Sequence, residues 1–285
     1  AGLETRVISA NTSMVNQPES YPTGRGRYWK PRNFSNRYDG KRYNMGQSLA
    51  KSINVIAVKV LEKTKIGPSR KYAKKVGITS PIQRDLSIAL GSTAVSPMEI
   101  ANTYATFASG GVYQQPVLLT RVTDSQGNSL YQDRSQAVRV TSAQTAYDIS
   151  QMLKSVVETG TGKRARLPGR PAAGKTGTTQ NGIDSWFVGY TPEMATAVWI
   201  GFDDRRPVRK ATGGKLAAPV WSRFMSAALR GSPVSWFNPP NGHTNETEEE
   251  SVPKAAPKEP VDAAKPKPMP APTPKPTESM DLLYD

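Results

Sequence analysis

The chain of 285 residues carries 38 Lys and Arg against 23 Asp and Glu, a net charge of +15, with 36% hydrophobic residues, no cysteine and one histidine. That length is enough for one substantial domain or two small ones with a real core. The composition excludes thiol catalysis, disulfides and a Cys/His zinc site, and a Ser-His-Asp triad would depend on the lone His243 in Pro239-Pro240-Asn241-Gly242-His243-Thr244.

The first residues, Ala1-Gly2-Leu3-Glu4-Thr5-Arg6-Val7, have no basic-then-apolar pattern and do not read as a signal peptide, and no apolar run of about 18 residues follows that could span a membrane. Asn44 is a cap for a helix running from Met45 to Leu61, with Leu49, Ile53, Ile56 and Val60 at helical spacing and a largely apolar middle that predicts a buried, central helix. Ser96-Pro97-Met98-Glu99 combines a capping box with Pro at the first helical position, and Gly110-Gly111 closes the helix that follows. Pro116 to Thr123 and Ser129 to Gln132 flank Asp124-Ser125-Gln126-Gly127-Asn128 as a hairpin. Thr141 or Ser142 caps a helix through Val157 that stops at Thr159-Gly160-Thr161-Gly162.

Three strands then follow at Ala172 to Thr179, Asp184 to Tyr190 and Ala195 to Phe202, the last two joined by the short turn Thr191-Pro192-Glu193-Met194 and hence antiparallel. A final helix spans Leu216 to Leu229, with Val220, Phe224, Ala227 and Ala228 on its apolar face. Helices, strands and a closing helix predict a mixed α/β (α+β) fold in which an antiparallel sheet is covered by helices. Residues 239–285 hold 11 of the 24 prolines and 5 Lys against 9 acidic residues, with polyproline runs such as Lys265-Pro266-Lys267-Pro268; this stretch reads as a disordered tail. The body, 1–238, then carries 33 basic and 14 acidic residues, a net +19 that attracts an anionic surface or polymer. No aromatic-rich nucleic-acid module accompanies that charge, so no nucleic acid is expected as a partner.

Chemistry concentrates on Gly174-Lys175-Thr176-Gly177-Thr178-Thr179. The Lys-Thr-Gly triplet is expected about 0.13 times by chance in this composition, and it belongs to the signatures of penicillin-binding proteins and serine β-lactamases. On a strand, Gly177 admits a substrate backbone, Thr176 and Thr178 donate to a carboxylate, and Lys175 adds positive charge, an arrangement suited to a peptide with a free C-terminus. The alternative is a plain turn between elements. Ser52-Ile53-Asn54 places two polar side chains in the apolar helix, where they need partners or a cleft. Ser-x-Asn also occurs at Ser9-Ala10-Asn11, so placement and not rarity favours Ser52.

Taken in order, Ser52-Ile53-Asn54, Gly91 within Leu86 to Ser92, Ser96 to Gly111, Thr161-Gly162-Lys163-Arg164-Ala165, Gly174 to Thr179, Ser185 to Pro192, Val198 to Asp204 and Ala217-Ala218-Pro219-Val220-Trp221 resemble the transpeptidase domain of class A penicillin-binding proteins, most of all the type 1A peptidoglycan synthases. The resemblance covers roughly residues 1–237. It implies a penicillin-binding-protein/serine β-lactamase-like fold and an acyl-serine D,D-transpeptidase that cross-links peptidoglycan stem peptides and is inhibited by β-lactams. In a parent protein of this family a glycosyltransferase domain and a membrane anchor accompany it, at the periplasmic face of the bacterial inner membrane. It implies that Ser52 and Lys175 relay protons, that Asn54 holds the donor amide, that Thr176, Gly177 and Thr178 bind the substrate carboxylate, and that the Thr178 N–H forms half of an oxyanion hole. No metal or cofactor is implied. The resemblance makes an anionic membrane or wall polymer an expected partner of the basic body, against the plainer reading of a solvated basic face, and the N-terminal part of the same protein another.

The family's nucleophile lies in a Ser-x-x-Lys motif well before Ser-x-Asn. Here that pattern occurs only at Ser48-Leu49-Ala50-Lys51 and Ser251-Val252-Pro253-Lys254. The second is in the tail, and the first would make one helix turn both nucleophile and opposite wall. The expectation is a partial domain that lacks its nucleophile and is inactive alone. A serine β-lactamase-like hydrolase is the first rival, but Glu62, Glu99 and Glu158 all fall on helices and none suits a water-activating loop. A non-catalytic peptide-binding module is the second.

Overall fold

The computed structural model describes residues 1–208 and 212–240; His243 and most of the expected tail, 241–285, lie outside them. Four short strands begin the chain, β1 (Ser13–Val15), β2 (Tyr21–Gly24), β3 (Arg27–Trp29) and β4 (Arg42–Asn44), with β1 antiparallel to β4 and β2 to β3. Asn44 caps α1 (Met45–Lys51) in a full capping box: its side chain accepts from the Gln47 N–H, and the Gln47 side chain accepts from its own N–H.

The helix expected to continue to Leu61 breaks at Ser52. This residue sits at φ 55°, ψ 51°, and the N–H groups of Ser52 and Ile53 turn back onto the carbonyls of Leu49 and Ser48. That is a Schellman closure with serine where glycine is usual. Helix α2 (Asn54–Thr64) restarts two residues later, followed by α3 (Ile66–Lys75). Apolar periodicity does not report the break because both helices feed one cluster, in which Met45, Ile53, Val55 and Ile56 pack with Met152.

Helix α4 (Pro97–Ala108) starts at the Ser96–Glu99 capping box and is closed by Gly110 and Gly111 at positive φ. The Glu99 carboxylate also accepts from the N–H and hydroxyl of both Thr79 and Ser80, and these bonds, Thr79 foremost, hold it well below the usual carboxylate range. Short strands β5 (Val112–Tyr113) and β8 (Val138–Arg139) pair antiparallel around the hairpin of β6 (Arg121–Thr123) and β7 (Ser129–Gln132). The first hairpin strand is shorter than the stretch from Pro116 predicts. Every residue of β6 and β7 is exposed, so no packed layer extends the pairing.

Helix α5 (Ala143–Glu158) is capped by Ser142. The strands β9 (Ala173–Thr178), β10 (Ser185–Tyr190) and β11 (Ala195–Ile200) form an antiparallel sheet in the order β11-β10-β9. Leu153 and Val156 of α5, with Tyr104 and Phe107 of α4, pack on Ala173 and Tyr190. The opposite face places Phe187 against Trp221 and Met225 of α6 (Ala217–Ala228). The expected covering of a sheet by helices is therefore present, with α1 and α2 forming a further layer outside α5.

The face assigned to α6 from the sequence is corrected. Val220 and Phe224 are 47% and 50% exposed, whereas Ala217, Ala218, Trp221 and Met225 are buried. Apolar residues surround this helix, so periodicity has two solutions, and burial of the indole selects the one with the larger area removed from water. Among the described residues no helix is long and apolar enough to cross a membrane.

Candidate active site

Strand β9 is an edge: β10 lies on one side, and among the described residues no strand lies on the other. The Thr179 N–H donates to the Asp184 carbonyl at 3.2 Å, which makes Thr179 and Asp184 a hydrogen-bonded pair. Antiparallel alternation then makes Gly177/Trp186 and Lys175/Val188 the next such pairs. The N–H and C=O groups of Thr176 and Thr178 consequently point away from β10, toward the open edge. An extended peptide can pair there, and the Thr178 N–H is free to meet a developing oxyanion.

Lys175 reaches across to the other wall. Its Nζ donates to Ser52 Oγ at 2.8 Å and to the Thr176 carbonyl at 3.2 Å. Burial lowers its amine from the usual 10.5 to about 8, so a substantial fraction is neutral near physiological pH. Ser52 is in reach because α1 ends there in a left-handed turn; had the helix continued, Ser52 would have occupied an ordinary helical position. Left-handed backbone in a non-glycine residue costs about 1–2 kcal/mol and is found where the surroundings over-determine it.

Asn54 is the first residue of α2, and its Nδ2 donates to the Arg32 carbonyl at 2.8 Å. Next to it, the buried Asn33 accepts from the Val55 N–H at 3.3 Å and donates to Asn16 and to the Arg37 carbonyl. Ile53 offers no side-chain cap, so Asn33 supplies from outside the helix the acceptor that the start of α2 lacks.

Two contacts orient the strand hydroxyls. Thr178 Oγ1 accepts from the Gly213 N–H at 3.0 Å, which leaves its own O–H to donate. Thr176 Oγ1 lies 2.8 Å from Thr161 Oγ1. The Thr161 N–H in turn donates to the Ala50 carbonyl at 3.0 Å, so Thr161 fastens the end of α1 to β9. Gly160 lies flat against this junction, where an added Cβ would stand 2.3 Å from the Ala50 oxygen. Gly160→Ala is therefore expected to cost about 1–3 kcal/mol by overpacking and to push Ser52 away from Lys175. Denaturant midpoints and the Lys175 pKa, read by NMR, check both.

Gly177 is needed for a reason that the sequence does not show. An added Cβ would meet Trp186 Cβ at 2.9 Å, so crowding within the sheet excludes a side chain there. The tempting Ser48 and Lys51 pair does not form. Ser48 is buried with its hydroxyl donating to the Asn44 carbonyl at 2.8 Å, while Lys51 is exposed over the Tyr43 ring, 5.8 Å from its centroid. Ser251 lies outside the described residues.

The structure thus brings together Ser52, Lys175, Thr176, Gly177 and Thr178, with Asn54 two residues from Ser52. Sequence reasoning missed the parts played by Arg32, Asn33, Gly160, Thr161 and Gly213. The signals were Gly160-Thr161-Gly162, read as a helix stop and, from Thr161 on, as one segment of the family resemblance, and the adjacent glycines Gly213-Gly214.

Comparison with known proteins gives a consistent result. The pattern of the penicillin-binding protein transpeptidase domain matches residues 1–226. Penicillin-binding protein 1A of Neisseria flavescens is 35% identical over 245 residues, covering 82% of this chain and 31% of the relative. The fold resembles penicillin-binding protein 1A from Haemophilus influenzae, with a TM-score of 0.75 at 23% identity over 84% of this chain and 43% of that one. It also resembles PonA1 from Mycobacterium tuberculosis, solved in complex with penicillin V, with a TM-score of 0.74 at 23% identity over 83% of this chain and 68% of that one. The chain spans about a third of the length of the curated relative that it matches.

Proposed function

The chain belongs to the penicillin-binding protein transpeptidase family, and from that premise we propose that it forms the carboxylate-binding and proton-relaying wall of a serine D-Ala-D-Ala transpeptidase that cross-links peptidoglycan stem peptides. The observation that carries this reading is the 2.8 Å contact between Lys175 Nζ and Ser52 Oγ beside an unpaired strand edge.

In the proposed reaction a serine oxygen attacks the carbonyl between the two terminal D-alanines. The C–N bond breaks, the leaving D-alanine takes a proton, and the acyl group passes to an amine of a second stem peptide. Ser52 and Lys175 relay the proton to the leaving nitrogen, a task suited to an amine whose pKa lies at about 8. Thr176 and Thr178 donate their hydroxyls to the terminal carboxylate, and the Lys175 charge strengthens that contact. The Thr178 N–H stabilises the oxyanion, a donor typically worth about 10²- to 10³-fold in rate. Asn54 holds the donor amide, and Gly177 keeps the strand flat enough for the peptide to lie along it. β-Lactams occupy the same positions and acylate the same serine.

The Ser48 hydroxyl is engaged by the Asn44 carbonyl and Lys51 lies over the Tyr43 ring, which supports the reading that the acylated serine and its lysine lie outside these 285 residues. The setting we assign is the periplasmic face of the bacterial inner membrane, where the surplus positive charge meets anionic headgroups or wall polymer. Domain organisation follows as a transpeptidase portion, 1–238, and a Pro-, Lys- and Glu-rich tail, 239–285.

Fluorescent penicillin followed by mass-spectrometric mapping tests this. The chain by itself should carry no covalent adduct, and the whole protein should be acylated at a serine outside residues 1–285. An adduct on Ser48, or a whole protein that resists acylation, overturns the assignment. A hydrolase reading finds little support: the Glu99 oxygens are taken up by Thr79, Ser80 and Ser96, and Glu158 lies 3.5 Å from Lys154 at the end of α5. Catalytic turnover of a β-lactam by the whole protein would favour it nonetheless.

A further inference from the structure

A cavity of about 310 Å³ lies beside the Asn54 wall, lined by Trp29, Lys30, Pro31, Arg32 and Leu90. Its position is set by a residue that the site already uses, since Arg32 lines the cavity and lends its carbonyl to Asn54 Nδ2 at 2.8 Å. The floor is firm. Pro31 is buried, Asn33 anchors the loop to α2 and to Asn16, and the 3-10 turn Leu86–Leu90 places Leu90 opposite. The rim holds two cations, Lys30 and Arg32, both exposed, and among the described residues neither has an acidic partner within salt-bridge reach. The half-buried Trp29 and the 38% exposed Leu90 add apolar walls.

We propose that this cavity is a subsite for a carboxylate carried by the donor peptide on the N-terminal side of its scissile bond. The inference rests on the donor-site reading above. A peptide whose terminal carboxylate lies at Thr176 and Thr178 and whose amide meets Asn54 has the Arg32 loop, hydrogen-bonded to Asn54, within reach of its continuation. Two unpaired cations over an apolar floor bind a side chain with a short aliphatic stem ending in a carboxylate, and discriminate against the same side chain with its charge removed. The volume sits at the low end of small-ligand pockets, which is ample for one such side chain.

The test uses two acetylated peptides ending in D-alanyl-D-alanine, identical except that one carries a carboxylate and the other its amide two residues before that dipeptide. Their binding to the full chain is measured by NMR titration. The acidic peptide should bind about three- to tenfold more tightly at low salt, as exposed charge pairs allow. That preference should vanish in Lys30→Gln/Arg32→Gln, whose exposed side chains can change without disturbing the loop backbone. Equal binding of both peptides to the wild-type chain overturns the subsite and leaves the donor-site reading intact. Binding of neither peptide overturns the donor-site reading and the subsite with it. A preference that survives in the double variant also overturns the subsite, because the discrimination then lies elsewhere.

Discussion

Lys175→Met is expected to slow acylation of the whole protein by a penicillin by about 10²- to 10⁴-fold, the usual worth of a positioned proton carrier, and at the same time to stabilise this chain at neutral pH. The two effects have one cause. Burial lowers the Lys175 amine from 10.5 to about 8, so the folded state tolerates the ammonium poorly. Between about pH 8 and 10.5 the unfolded chain holds a proton on this lysine that the folded chain has released, and stability must rise with pH across that window. Below about 8 the penalty is complete and constant; above about 10.5 it is gone. A methionine of similar shape carries no such penalty. It forfeits the Ser52 contact, so the net gain at pH 7 is on the order of 1–3 kcal/mol. Thermal unfolding of both proteins from pH 7 to 10.5 checks the prediction: the advantage of the variant should shrink as pH rises. A variant less stable at pH 7 would show that the lysine is held for packing and not against a desolvation cost.

Trp221→Ala is expected to destabilise the chain by about 3–5 kcal/mol, the range for removing a large aromatic from a packed core. Trp221 is 0% exposed and meets the Phe187 ring edge-on with centroids 5.1 Å apart, and its Nε1–H donates to the Thr196 carbonyl at 3.1 Å. The indole also lies directly over Gly189, where an added Cβ would stand 3.0 Å from it. Truncation therefore leaves a cavity under β10, removes a second donor from the Thr196 carbonyl of β11 and leaves a ring without its neighbour. Val220→Ala on the same helix is the contrast, since its side chain faces solvent and its loss should cost little. Chemical denaturation of the pair distinguishes the observed face of α6 from the face that periodicity favours, on which the two costs would be reversed.

The elements that were legible from sequence are those with strong local chemistry. The Asn44 and Ser96 caps, the helix opened by Ser142 and the three strands after Ala172 appear where caps, turn residues and apolar alternation place them. The break at Ser52 was not legible, because a Schellman turn is announced by glycine and here a serine takes the left-handed position. The same limit applies to α6, where two apolar faces compete and only the sheet can choose between them.

Sequence by itself determined the inventory of chemistry: no thiol, one histidine, and a Lys-Thr-Gly-Thr strand preceded by Ser52 and Asn54. Those properties are local, carried by residue types and short spacings. Only the tertiary structure decided that Lys175 and Ser52, 123 residues apart, meet at 2.8 Å, that Thr161 fastens their two walls together, and that the Ser48 hydroxyl donates to the Asn44 carbonyl. Those properties depend on long-range packing. The direction in which a hydroxyl or amine points is set by the backbone turn beneath it and by neighbours distant in sequence, and the periodicity of a single segment contains neither.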